Sequence, residues 1–123
     1  MREAVEFVRK ENQNAITAAF GVSDKQIASY DHKARPLDSV ADLRKVVALS
    51  VHERQPLFVY VCGEHESRKR NPDLMAAIES GLKPENEQGD AVGNFRLVAE
   101  FFGTEAMFSY RIYRAENAGI TKQ

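Results

Sequence analysis

The sequence predicts an α+β protein: an N-terminal helical bundle followed by a small sheet of strand, helix and hairpin. Three observations lead there. Residues 1–54 place apolar side chains at helical spacing between cap and glycine signals. Residues 57–62 are a short apolar run rich in β-branched and aromatic side chains, and residues 95–112 alternate apolar with polar positions. Helices first and strands second make a segregated pattern, not a regular βαβ alternation.

Each element has its own local signal. Arg2 to Lys10 sets Ala4, Val5 and Val8 at helical spacing with charges between them. Gln13 to Phe20 reads as a short helix closed by Gly21, because glycine takes up positive φ at little cost. Ser23 opens a further helix, and Gln26 three positions on completes a capping box. That run passes through Ile27 and Tyr30 and fails between His32 and Pro36, since proline disfavours helix in the residue before it. Ser39-Val40-Ala41-Asp42 repeats the cap signal and starts a longer helix with Val40, Leu43, Val46, Val47 and Val51 facing inward, ended by Pro56. Leu57 to Cys62 reads as a buried strand. Asn71-Pro72-Asp73 joins a cap residue, a proline at the first helical position and an acid in the first turn. Leu74, Met75 and Ile78 give that helix its apolar face, and Gly81 closes it. Residues 82–93 read as a polar loop. In the hairpin that follows, Phe95, Leu97, Ala99 and Phe101 share one face of the first strand, and Ala106, Phe108, Tyr110 and Ile112 one face of the second, with Gly103-Thr104 between. The chain thus divides into a helical part (1–54), an α+β part (55–115) and a frayed tail (116–123). Two domains or one core are both open.

The bulk properties narrow the class. With 123 residues, 43% apolar and 28% charged, the chain is long enough for one domain and composed like an ordinary globular protein. No apolar run approaches the roughly 18–20 residues of a membrane span, and the N-terminus lacks the apolar stretch of a signal peptide. A single cysteine, Cys62, rules out an internal disulfide and fits a reducing compartment, so the expected location is the cytoplasm. The net charge of −1 offers no broad basic field, so a nucleic-acid role has to rest on a local constellation.

One such constellation is present. Gln13, Ile16, Ala19, Phe20, the Gly21-Val22-Ser23 turn, Ile27, Tyr30, Asp31 and Arg35-Pro36 together resemble the phage-repressor (Cro-type) helix-turn-helix family over residues 13–36. Ile16, Phe20, Val22 and Ile27 are the apolar residues that would close the angle between the two helices. The resemblance implies that the helix from Ser23 enters a major groove, with Lys25, Gln26 and Ser29 at base edges. Gln13 would contact phosphate, as would Lys33 or Arg35 just beyond the helix. The pattern departs from the family at Lys33, where a glycine is usual, at Glu11, where a core leucine is usual, and at Asp24, whose charge would repel phosphates.

Other groupings invite a function. Cys62, Glu64, His65 and Glu66 follow the buried strand, and Cys-x-x-His spacing supplies two zinc ligands or a thiol beside a base; a core cysteine and a charged turn is the plainer reading. Ser67-Arg68-Lys69-Arg70 sets three cations in a row, a phosphate clamp or a solvated loop. Tyr60, Tyr110 and Tyr113 with Phe95, Phe101 and Phe108 form either a stacking surface or sheet core. No catalytic pair, metal set or cofactor loop stands out. The expectation is a non-enzymatic, repressor-like regulator that binds double-stranded DNA as a homodimer, with no cofactor, no metal and no membrane. The alternative is an interaction or accessory protein whose helices pack on the sheet as one domain.

Overall fold

A five-stranded mixed sheet draws on both halves of the chain. The computed structural model describes residues 2–21, 31, 33–84, 90–102 and 109–120. Along them run α1 (Arg2–Glu11), β1 (Ile16–Gly21), β2 (Arg35–Pro36), α2 (Val40–Glu53), β3 (Leu57–Cys62), α3 (Glu64–Arg70), α4 (Pro72–Ser80), β4 (Ala91–Phe101) and β5 (Tyr110–Ile120). The strand order is β2-β1-β3-β5-β4, with β1 parallel to β2 and β3, and β5 antiparallel to β3 and β4. The protein is α+β, as expected. The N-terminal part, however, is not a helical bundle, and the sheet crosses the expected boundary at residue 54, because Ile16–Gly21 pairs residue for residue with Leu57–Cys62.

The main correction lies at β1. Ile16–Gly21 is a strand, so the first helix expected of a helix-turn-helix is absent, and Gly21 ends a strand instead of closing a helix. The physical reason is two-sided burial. Ala18 and Phe20 join the core on one face of the sheet, and Ala19 joins the core on the other beside buried Thr17. A strand covered on both faces shows no polar alternation, and a short apolar run of that kind cannot be told from a buried helix by periodicity. The turn before it has a local cause: the Asn14 amide donates to Asn12 Oδ1 at 2.7 Å, and α1 closes as the Asn12 amide donates to the Val8 carbonyl. The helix expected from Ser23 lies in residues 22–30, outside the described residues.

Helices cover both faces. Ala4, Val5 and Val8 of α1 pack on Ala19, Phe58, Tyr60, Cys62, Tyr110 and Ile112. Leu43, Val46 and Val47 of α2, with Leu74, Met75 and Ile78 of α4, pack on the opposite side against Ala18, Phe20, Leu57, Val59, Val61 and Tyr113. Burying each valine or leucine contributes about 1.5–3 kcal/mol. The caps behave as the sequence reads: Ser39 accepts from the Asp42 amide at 3.1 Å and Asn71 from the Leu74 amide at 3.1 Å. Gly81 closes α4 at φ +97°, where an added Cβ would lie 2.5 Å from Asn94 Oδ1.

Three further expectations change. The cationic run Ser67–Arg70 belongs to helix α3, not to a loop. The face shared by Phe95 through Phe101 is broken by a register shift between Leu97 and Ala99. Phe95 consequently packs with one core, and Ala99 and Phe101 with the other. Finally, Glu116 to Ile120 is strand and not frayed tail; Asn117, at φ 51°, lies in a second register shift, opposite Val92–Asn94, while Ala118 and Ile120 pack on the core. The turn expected at Gly103-Thr104 lies outside the described residues, as do Ala106 and Phe108. Among the described residues, no helix is long and apolar enough to cross a membrane.

Candidate functional site

The site is built where the N-terminal end of β1 meets the segment entering β2. Parallel pairing sets Ala18 beside Arg35 and Ala19 beside Pro36. Lys33, two residues upstream of Arg35, therefore comes alongside the start of β1, next to the Asn12–Asn14 turn. A shallow groove of about 360 Å³ results, lined by Gln13, Asn14, Ala15, Ile16, Thr17, Lys33 and Arg35. Three residues assigned from the sequence to phosphate contact, Gln13, Lys33 and Arg35, are thus brought together across a gap of twenty positions and remain exposed. The other three, Lys25, Gln26 and Ser29, lie outside the described residues.

A second, smaller pocket adjoins the groove and shares Gln13, Ala15, Thr17 and Lys33 with it. It measures about 200 Å³, and Val8, Arg9, Asn12 and Asp31 complete its walls. Its floor is a hydrogen-bonded cluster. Thr17 Oγ1 donates to Asp31 Oδ2 at 2.9 Å, and the Tyr60 hydroxyl donates to the same oxygen at 3.3 Å. The Lys33 amide donates to Asp31 Oδ1 at 3.2 Å, and the Ala34 amide to the Asp31 carbonyl at 3.0 Å. Asp31 is 9% exposed and Tyr60 is fully buried. Burial, and next the Asp31 carboxylate, push the Tyr60 phenol well above its ordinary range, so it stays protonated and acts as a donor. A buried carboxylate is tolerable only when hydrogen-bonded, and here two hydroxyls and an amide meet that need.

Sequence reading misses Thr17, Arg9 and Asn12 as site residues, and it offers Tyr60 only as a stacking or core aromatic. Thr17 lies in the expected helix, and the Tyr60 hydroxyl goes unused. The usable signal was the hydroxyl each carries inside an otherwise apolar run, since a buried hydroxyl requires a partner.

The remaining candidates do not assemble. Cys62 is buried in the sheet while His65 is exposed on α3, and Glu64 is held by Arg68 and Arg111. Among the described residues, no group of three or more His, Cys, Asp or Glu is placed to hold a metal ion. Ser67 Oγ donates to the Cys62 carbonyl at 2.9 Å, and Arg68 is bound to Glu64 and Glu79. Because Gly21 pairs with Cys62, this cationic helix begins at the far end of the sheet from the groove. Tyr60, Tyr110 and Tyr113 are core, and Phe95 and Phe101 are half-buried against it. Compared with known protein families, with curated proteins and with solved structures, the chain matches none of them.

Proposed function

We propose that this protein is a non-enzymatic, DNA-binding regulator whose Gln13–Lys33–Arg35 groove takes phosphates of the nucleic-acid backbone. The observation that supports the reading is the convergence of those three side chains on one open groove. Two cations and a neutral amide suit a phosphate: the cations meet its charge and the amide donates to its oxygens without adding repulsion. Phosphate contacts position a protein but carry no sequence information, so base reading is left to Lys25, Gln26 and Ser29 between β1 and Asp31. A homodimer fits such a role, because one short reading element spans too few base pairs for useful specificity. Beyond Gly93, which pairs with Leu82, the outer edge of β4, the last strand of the sheet, offers a route to it.

The test is fluorescence anisotropy with a labelled duplex between about 50 and 200 mM salt. Wild-type binding is expected to weaken steeply with salt, and Lys25→Ala with Gln26→Ala to erase sequence preference. Salt-insensitive binding, or none at low salt, would contradict the reading. The alternative, an interaction protein with no nucleic-acid ligand, is favoured by one observation: the helices do pack on both faces of a single sheet. It predicts no salt-dependent duplex binding, by the wild type or by Lys33→Ala with Arg35→Ala.

A further inference from the structure

We propose that the pocket beside the groove receives one unpaired guanine base whose phosphate lies on Lys33 and Arg35. This inference rests on the groove being a phosphate site and adds what the neighbouring pocket selects. The floor asks for donors. Asp31 is an acceptor-only group, with Oδ2 already taken by Thr17 and Tyr60 and Oδ1 receiving only the long bond from the Lys33 amide among the contacts described above. Thr17, whose Oγ1 has donated its proton and keeps its lone pairs as acceptors, lines the same space.

Guanine alone among the bases carries two adjacent donors, N1–H and N2–H2, on its pairing edge. Adenine and cytosine set an acceptor beside their amino group, and thymine has a single donor between two carbonyls. An acceptor edge would face the Asp31 carboxylate unpaired, a desolvation cost that discriminates against those bases. Size points the same way. A pocket of about 200 Å³ is below the range of drug-sized ligand sites and has no room for a base pair, so the base must be unpaired. Position completes the argument: Gln13, Thr17 and Lys33 line both spaces, so a nucleotide can seat its phosphate in one and its base in the other. The ligand is a guanine nucleotide unit, either free or within an unpaired strand.

The experiment uses the full chain and three labelled oligothymidylates: unmodified, with one central deoxyguanosine, and with deoxyinosine there instead. Inosine keeps N1–H and lacks the N2 amino group. Wild-type protein should bind the guanine oligomer roughly tenfold more tightly than the unmodified one, with most of that gain lost on inosine. Asp31→Asn should abolish the guanine gain and keep oligothymidylate binding, while Lys33→Ala with Arg35→Ala should weaken all three oligomers by a similar factor. If Asp31→Asn fails to fold, judged by circular dichroism, the inosine arm decides on wild-type protein alone. Displacement of the guanine oligomer by guanosine monophosphate identifies the free nucleotide as a ligand; a guanine preference that survives the competitor identifies the strand. Equal affinity for the three oligomers overturns the guanine pocket and leaves the phosphate groove standing. Absence of binding to every oligomer and to duplex removes the groove reading itself.

Discussion

The two ends of the β1–β3 pair carry similar charges in opposite circumstances. Beyond Cys62, an ion-pair chain runs Glu79–Arg68–Glu64–Arg111–Glu100 and joins α4, α3, β5 and β4. Its effect shows at Glu79, whose carboxyl is held below the usual range first by its hydrogen bond to Arg68. At the opposite end, among the described residues, no ion pair engages Lys33 or Arg35. The nearby carboxylate, Asp31, is instead held by hydroxyls. Charges matched within the protein stitch elements together, whereas cations that no carboxylate pairs keep their field for a ligand. Counting cations in the sequence points instead to Arg68-Lys69-Arg70, the densest run, whose Arg68 is taken up by Glu64 and Glu79.

Four perturbations break or sharpen that contrast. The largest effect is expected from Asp31→Ala, which strands two buried hydroxyls and frees the segment entering β2. Urea denaturation should show a loss of about 3 kcal/mol or more, at about 1–3 kcal/mol for each unsatisfied group. A loss within error would mean that the cluster is wet and not structural. Next, Lys33→Ala with Arg35→Ala should reduce the slope of log affinity against log salt by about one unit per cation, with little change in denaturation midpoint. An unchanged slope breaks the contrast at its binding end.

The third concerns alkaline pH. The Tyr60 phenol is raised in the folded protein, so the folded state keeps a proton that an unfolded tyrosine loses near its ordinary value of 10. Stability from this group is complete below that pH and disappears as pH climbs beyond it. Tyr113, also raised mainly by burial, adds in the same direction. Tyr60→Phe should therefore cost about 1 kcal/mol at neutral pH and flatten part of the decline above pH 10; thermal melts at several pH values would show an identical slope in both proteins if this is wrong. The smallest effect belongs to Glu64→Gln at the far end. It breaks half-exposed pairs that water already screens, so its shift in melting temperature should be less than that of Tyr60→Phe and vanish in molar salt.

How much of this was legible beforehand follows from where each signal originates. Ser39 and Asn71 announced their helices because a cap is a local event, decided by one side chain and an amide three residues on. Leu57–Cys62 was legible because six consecutive apolar residues, several β-branched or aromatic, have few other uses. Ile16–Gly21 was not, because its two alanines suit a helix locally. Their strand state is imposed by β3, some forty residues away, and by helices on both faces. Misreading β1 hid the continuous sheet, and with it the pairing that carries Lys33 and Arg35 to Gln13. The family resemblance picks out those three residues through a helix-turn-helix whose first helix the structure replaces with a strand. Their convergence has a different cause, the parallel register of β1 and β2. In the sequence Asp31 is one of the residues carrying the family resemblance, and its bonds to Thr17 and Tyr60 are long-range contacts that no local pattern encodes.

The most direct measurement is a titration of ¹⁵N-labelled protein with a short duplex, followed by amide chemical shifts. Perturbations at residues 13–17, 25–29 and 33–35 at low salt, and reversed by added salt, are the expected result. Shifts centred on α3, or none at any salt concentration, would contradict a groove that takes phosphate.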